Sequence, residues 1–537
     1  MKKIILLFLV FSCISTFAQE EAWVYFNDKP DAAFYLANPL QMLSQRALDR
    51  RTAQGISLDN KDVPLSQNYT DQVAAAPAIS IMAKSKWLNA LHVRGTVNSI
   101  RNLQNLSFVS HIEFADKSLN VLRRPTENLK ATGSNKNFDT QINYSYGTSA
   151  NQIQMLNGHL LHQQDFTGNG IIIAVLDAGF PGVDVAMPFQ RLRNAGKILG
   201  GYDFVNRSPN FYTGGTHGTL VLSTMGGYVE NQLVGTAPDA SYYLFITEDI
   251  DDENPVEESY WVEAAETADS LGVDIINTSL GYFTYQDPRY SHTYSDMNGT
   301  TAFISRGAAI AFSRGMICVV SAGNSGNSSN PYISAPADAV DILAVGAVDD
   351  TRNYATFSSI GPSFDGRVKP DVMAQGVSSI VSDPTGNIGG ANGTSFAGPI
   401  TSGMVASLWQ ALPTKSNVEI IQLIRQSAHL FATPNPQYGY GIPNYASALN
   451  AGLGIEGFSS DAFILYPNPA NRIVNLQCKG GSKKAQIVIY TNLGQEVISA
   501  NLTEDATNFS VEKLPSGIYY YKIFSGNASQ SGKFLKN

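Results

Sequence analysis

The sequence predicts an α/β fold: a parallel sheet covered by helices on both faces, with a small α/β module before it and a small antiparallel β-sandwich after it. Three observations lead there. Between Gly170 and Leu453, short β-rich apolar runs alternate with helical stretches. A charged and apolar leader followed by a mixed α/β passage precedes that region, and a series of short alternating strands divided by turn signals follows it. A chain of 537 residues accommodates about two to four domains. The net charge of −9, with no clustered basic surface, excludes nucleic acid as a partner.

In the leader, Lys2 and Lys3 precede an apolar run from Ile4 to Ile14, and Thr16-Phe17-Ala18 offers a small-residue cleavage site. This pattern predicts a signal peptide over residues 1–18 and export from the cell. Val10-Phe11-Ser12-Cys13 also resembles a lipoprotein processing site, an alternative that would place a lipid on Cys13. No later segment has the roughly 18 consecutive apolar residues of a membrane span. Residues 19–142 read as a small α/β module and a linker. Lys86 to Phe114 is expected to begin with a polar helix patterned on Trp87, Leu88 and Leu91, followed by strand, helix and strand. The polar passage Lys117 to Asn143, with Arg123-Arg124, reads as an exposed, protease-accessible linker.

Within 143–455, strands are expected at Ile171–Leu176, Tyr242–Ile246, Val273–Ile276, Ile317–Val320 and Ile342–Val345. Helices at Glu257–Ser270, Thr301–Arg314, Ser395–Ala411 and Asn417–Ser427 supply the crossovers. In such folds ligands sit at the carboxyl ends of the strands. Residues 462–537 open with Tyr466-Pro467-Asn468-Pro469 and carry turn signals at Asn492-Leu493-Gly494 and Pro515-Ser516-Gly517, the pattern of a small antiparallel sandwich. Cys318, in the apolar run Met316–Val320, reads as a buried structural thiol.

Four motifs follow predicted strands. Ile172–Leu176 runs into Asp177 with Gly179 close behind, and Gly214-Gly215-Thr216-His217 sets an imidazole at a helix start among small residues. Ser321-Ala322-Gly323-Asn324 presents a side-chain amide beside glycines. Gly393-Thr394-Ser395-Phe396-Ala397-Gly398-Pro399 places a serine at a helix mouth, where free N–H groups and the helix dipole favour a developing negative charge. Pro399 is expected in the first turn, where its missing donor has no partner. Singly, the Asp, His and Asn motifs are also satisfied by a turn carboxylate, a helix-start imidazole and a turn amide.

Taken in order, Asp, His, Asn, Ser with these flanking words resemble the subtilisin-like serine proteases. Gly235-Thr236-Ala237-Pro238, Asn277-Thr278-Ser279-Leu280-Gly281 and Lys369-Pro370-Asp371-Val372 extend the likeness over residues 150 to 450. The resemblance implies that Ser395 is the nucleophile, His217 its general base, and Asp177 the partner of the imidazole. It further implies that Asn324 and the Ser395 N–H bind the oxyanion. Ser279-Leu280-Gly281 would pair with an extended substrate, and Ser321-Ala322-Gly323 would wall the primary specificity pocket. The 19–142 module would be an inhibitory pro-segment removed by the enzyme itself, so that the partners are peptide or protein substrates and the chain's own pro-segment. No cofactor is required for the chemistry. Structural calcium is left open and unassigned, because the loop near Tyr228–Val234 shows no legible ligand set.

Departures from the family pattern are Ala178 and Leu220 beside Asp177 and His217, Tyr282 after Gly281, and an inserted stretch from Phe283 to Asn298. The last two are expected to border the substrate cleft. The tail resembles the C-terminal sorting domain of the type IX secretion system of Bacteroidetes, which implies passage through the outer-membrane machinery to the surface or the medium. The alternative function is a catalytically silent surface-binding protein that keeps the fold. A lipase-type hydrolase is disfavoured, because it needs a Gly-x-Ser-x-Gly elbow and the serine first in chain order.

Overall fold

The computed structural model describes residues 19–120, 144–454, 456–457, 463–478, 484–491, 494–502, 506–525 and 528–537. The expected signal peptide, Cys13 and residues 121–143 of the expected linker lie outside the described residues, whereas Lys117–Leu119 form a short 3-10 turn. Among the described residues no helix is long and apolar enough to cross a membrane.

The N-terminal unit is an antiparallel sheet of β1 (Glu20–Phe26), β2 (Ile79–Ser85), β3 (Ala90–Gly95) and β4 (Val109–Phe114), in the order β2-β3-β1-β4. Strand alternation gives it two faces. Ala22, Val24 and Phe26 enter its own core with Val73, Leu91 and Ile100, whereas Trp23 and Tyr25 point the other way, into the central domain. The polar helix expected at Lys86 is absent: residues 86–89 form the turn between β2 and β3, with Asn89 at φ +53°. The spacing of Trp87, Leu88 and Leu91 fits a helix as well as a turn entering a strand, and the cross-strand pairing of Leu91 with Val24 decides for the strand.

The central domain holds seven parallel strands: β5 (Ile172–Asp177), β6 (Ile198–Asp203), β7 (Ser241–Ile246), β8 (Ile275–Thr278), β9 (Ile317–Ser321), β10 (Leu343–Val348) and β11 (Val372–Gln375). Their order is β11-β10-β9-β8-β5-β7-β6. Every pairing is parallel. β6 and β11 were not expected: β6, Ile198-Leu199-Gly200-Gly201-Tyr202-Asp203, is an edge strand whose glycines weaken the apolar signal. One face of the sheet is covered by α2 (His217–Gly226) and α5 (Thr394–Ala411), the other by α3 (Val256–Leu271) and α4 (Phe303–Ser313). Val175 and Ile317 belong to the first core, Ala174 and Cys318 to the second, as alternation requires. Burial pushes the Cys318 thiol up to about 12, an inert structural setting. The Lys369-Pro370-Asp371 word is structural too: buried Asp371 accepts from Lys369 Nζ, Arg425 Nε and the Ala344 N–H.

The C-terminal unit packs a three-stranded antiparallel sheet (Phe463–Tyr466, Ile473–Cys478, Ala506–Ser510) against a mainly antiparallel second sheet, with Val474, Ile487, Phe509, Ile523 and Phe534 in a shared core. Tyr519 is buried there and Tyr520 is exposed, the alternation of a half-buried strand.

The outward face of the N-terminal sheet docks on α3 and α4, so that Trp23, Tyr25, Ala83, Trp87 and Ala90 join the apolar cluster of the central domain. Glu266 of α3 accepts from Ser85 Oγ (2.6 Å) and from the Lys86 and Trp87 N–H groups (2.9 Å each). Helix α1 (Gln45–Ala53; the first helix labelled here) lays Arg46, Arg50 and Arg51 at the C-terminal end of α3, where cations meet the negative end of the dipole. Arg51 bridges buried Asp62 (2.9 Å) and Asp269 (2.7 Å), and Arg50 also pairs with Asp269. Asp269→Ala leaves two guanidinium groups buried beside an apolar interface. It should destabilise the docked chain by about 3–5 kcal/mol, read as a lower urea midpoint than that of the parent protein.

Candidate active site

β5 stands between β7 and β8, so its carboxyl end opens at the centre of the sheet's carboxyl edge. Asp177, its last residue, is fully buried. The turn after it is tied to the turn before α2 by hydrogen bonds from the Phe180 N–H to Thr213 O and from the Gly215 N–H to Ala178 O. A Cβ on Gly179 would collide with the Thr213 carbonyl, and one on Gly214, at φ +79°, with the Ala178 carbonyl. Glycine at both positions lets the two turns touch. This contact delivers His217, first residue of α2, to the carboxylate: His217 Nδ1 lies 2.8 Å from Asp177 Oδ1. The Asp177 charge beside the imidazole raises its pKa above the ordinary histidine value, against the opposing effect of burial. Asp177 Oδ1 also accepts from the Ala178 N–H, whereas Oδ2 is buried with no donor among the described residues.

Ser395 occupies the second position of α5, next to Thr394. Its Oγ donates to Ser279 O (3.2 Å), and Ser279 Oγ donates back to Ser395 O (2.9 Å). Pro399 explains the second bond. It lies inside the helix rather than in a first turn without partners, and the carbonyl its missing N–H would have taken, four residues back, is that of Ser395. Ser279 Oγ satisfies that carbonyl, so the helix break and the cross-link are one feature. The Phe396 ring lies 6.1 Å from the His217 ring, centroid to centroid.

The side-chain oxygen of Asn324 accepts from the Thr394 N–H and from Thr394 Oγ1, both at 2.9 Å. Two donors on one atom fix the amide orientation and leave Nδ2 free to donate beside Ser395. Thr394 escaped the sequence reading as a site residue; its signal was its place between Gly393 and Ser395. Ser279-Leu280-Gly281 and Ser321-Ala322-Gly323 leave the sheet from adjacent strands, since Thr278 and Val320 are register partners. Ser321 Oγ donates to Thr394 O (3.1 Å), and Gly323 is held at φ +107°. All ten residues singled out from the sequence therefore lie along the carboxyl edges of β5, β8 and β9 and at the mouths of α2 and α5.

Two expectations change. Tyr282 is fully buried with its hydroxyl on Glu248, away from solvent. The stretch 283–298 reaches the N-terminal unit, where Arg289 pairs with Glu20. In the loop near Tyr228–Val234 two short strands pair with each other, and the Gln232 carbonyl accepts from Thr148 Oγ1 and the Ser149 N–H. Glu248, Glu253 and Glu257 bring one carboxylate oxygen each within 4.8 Å of the others, a grouping the sequence reading did not pick out although it begins the acidic run Glu248-Asp249-Ile250-Asp251-Asp252-Glu253.

Comparison with known proteins gives the family. The family described as the subtilase family of peptidase S8 matches residues 168–441. The peptidase S8 propeptide domain of Bacteroidota matches residues 21–133, and a secretion system C-terminal sorting domain matches residues 464–537. Subtilisin NAT of Bacillus subtilis subsp. natto is 32% identical over 300 residues, 55% of this chain and 70% of that protein. Subtilisin of Bacillus pumilus is 31% identical over 300 residues, 55% of this chain and 97% of that one. Subtilisin BL of Lederbergia lenta is 32% identical over 289 residues, 53% and 93% respectively. The chain belongs to the subtilase family: it is a secreted, subtilisin-like serine endopeptidase that carries a pro-segment and a C-terminal secretion sorting domain.

Proposed function

We propose that the protein hydrolyses peptide bonds through Asp177, His217 and Ser395 with an acyl-enzyme intermediate, and that it is made as a precursor which removes its own pro-segment. The observation that carries this reading is the 2.8 Å bond between His217 Nδ1 and fully buried Asp177, set at the edge where Ser395 is cross-linked to the Ser279 carbonyl. Asp177 holds the proton on Nδ1, which leaves Nε2 as the base. Ser395 Oγ attacks the carbonyl carbon and its proton passes to Nε2. The oxyanion accepts from Asn324 Nδ2 and the Ser395 N–H, preorganised by Thr394 and by the helix start. Collapse breaks the C–N bond as His217 protonates the leaving amine, and water repeats the sequence to release the acid. Each group in this scheme is a side chain or backbone amide of the chain itself. Ser279–Gly281 would pair with the substrate backbone as an added strand, and Ser321–Gly323 would wall the pocket for the residue before the scissile bond. The sorting domain would be read by the outer-membrane machinery and then removed or exchanged for a surface anchor.

Intact mass and N-terminal sequencing of the purified protein test the scheme directly. The parent chain should lose its first hundred or so residues and a Ser395→Ala variant should keep them; if both stay full length and neither cleaves unfolded casein, the silent binding protein is the better account. The pH profile is a second test. His217 must be neutral to take the proton, and Asp177 favours its charged form, so kcat/KM should fall as pH drops through a value above 6.5. An acid limb centred below 6.5 contradicts the assignment. Thirdly, Ala178→Ser offers a hydroxyl to the orphaned Asp177 Oδ2. By sharing the carboxylate charge it should move the His217 titration, followed by NMR, to lower pH; an unmoved titration means that the hydroxyl does not reach Oδ2.

A further inference from the structure

We propose that the inserted stretch Phe283–Asn298 is a clasp for the chain's own pro-segment, which holds it on the peptidase after cleavage and sets how fast activity appears. The proposal rests on the reading of residues 19–142 as an inhibitory pro-segment, but it concerns retention rather than chemistry. The stretch is closed on itself by the His292 N–H donating to Phe283 O, and it is anchored to the peptidase at buried Glu258 of α3, which accepts from Tyr285 OH (2.6 Å) and faces His292 Nε2 (2.8 Å). From that base it reaches the pro-segment at two points that lie far apart in sequence. Glu20, the first residue of β1, has a side chain only 4% exposed, and among the described residues both hydrogen-bond partners of its carboxylate belong to the insertion: Arg289 Nη1 at 2.7 Å and Tyr290 OH at 3.0 Å. Just beyond β4, Asp116 lies 3.3 Å from the same Arg289, and Lys117 pairs with Asp296 at 2.6 Å.

The insertion thus grips the entry to β1 and the exit from β4 together, and β1 and β4 are hydrogen-bonded neighbours. A buried carboxylate whose donors all come from the other partner is orphaned when the two separate. Such contacts act mainly on the rate of dissociation. Other parts of the interface, among them the apolar faces of Trp23 and Tyr25 on α3 and α4, the Glu266 contact and the pairs of Arg50 and Arg51 with Asp269, engage elements outside the insertion, so removal of the clasp leaves a docked but more quickly lost pro-segment.

The test compares the full chain with an Arg289→Ala, Tyr290→Phe double variant, following co-elution of the cleaved pro-segment with the peptidase and the onset of hydrolysis of a short peptide. The variant should lose the pro-segment about tenfold faster, with kcat/KM of the fully activated enzyme unchanged. Glu20→Gln, which acts from the pro-segment side and preserves side-chain shape, should speed release in the same direction. A Ser395→Ala chain with a site-specific protease sequence inserted within residues 121–143, cut by that protease, reports dissociation whether or not the peptidase cleaves itself. Equal release rates with and without the two substitutions in that chain overturn the proposal. A loss of kcat/KM in the activated double variant, with release unchanged, assigns the insertion to the substrate cleft instead.

Discussion

The parallel sheet must be covered on both faces, and the rest of the molecule follows from how the two covers are used. Strands that alternate Ile173, Val175 on one side with Ala174, Leu176 on the other have no face that tolerates water. One cover, α2 and α5, starts at the carboxyl edge and therefore brings His217 and Ser395 to Asp177. The opposite cover, α3 and α4, is left with outer surfaces that accept the pro-segment sheet, so that the N-terminal unit lies beyond them, on the side of the sheet remote from α2 and α5. The helices that carry His217 and Ser395 and the docked pro-segment thus lie on opposite faces of the sheet.

At the edge, precision comes from backbone contacts more than from side chains. The Asp177 turn and the His217 turn bond to each other across Gly179 and Gly214, which any larger residue would push apart. Ser395 is fixed by the reciprocal pair with Ser279, available because Pro399 leaves the Ser395 carbonyl without its helical donor. Asn324 is held by two donors on its oxygen, which aims its NH₂ without constraining it further. The Ser279 bond takes up a carbonyl that Pro399 leaves without its helical donor, and the Asn324 bonds take up the first N–H of α5, which a helix leaves without a partner.

Where this chain departs from its family the two covers again separate the consequences. Ala178 offers no hydroxyl beside Asp177, whose Oδ2 is buried with no donor among the described residues. Tyr282 and the insertion act on the other side: Tyr282 turns inward to Glu248, and Arg289 with Tyr290 turns outward to Glu20. An insertion that follows Ser279-Leu280-Gly281 closely in sequence is, in space, part of the pro-segment interface.

The sequence alone determined the strand-end motifs, because each depends on local chemistry: an apolar strand ended by Asp177, glycines flanking His217, a helix mouth at Ser395, an amide after Ala322-Gly323. It also determined the crossover helices, whose periodicity runs long enough to be unambiguous. It could not determine β6, whose glycines erase the pattern, or the turn at residues 86–89, where the spacing of Trp87, Leu88 and Leu91 suits two structures and only pairing with β1 selects one. Nor could it reveal the partner of the Ser395 carbonyl, the donor to Glu20 or the orphaned oxygen of Asp177. Those are properties of pairs distant in the chain, 116 positions apart for Ser279 and Ser395 and 269 for Glu20 and Arg289, and only the tertiary structure decides which distant groups share a desolvated space.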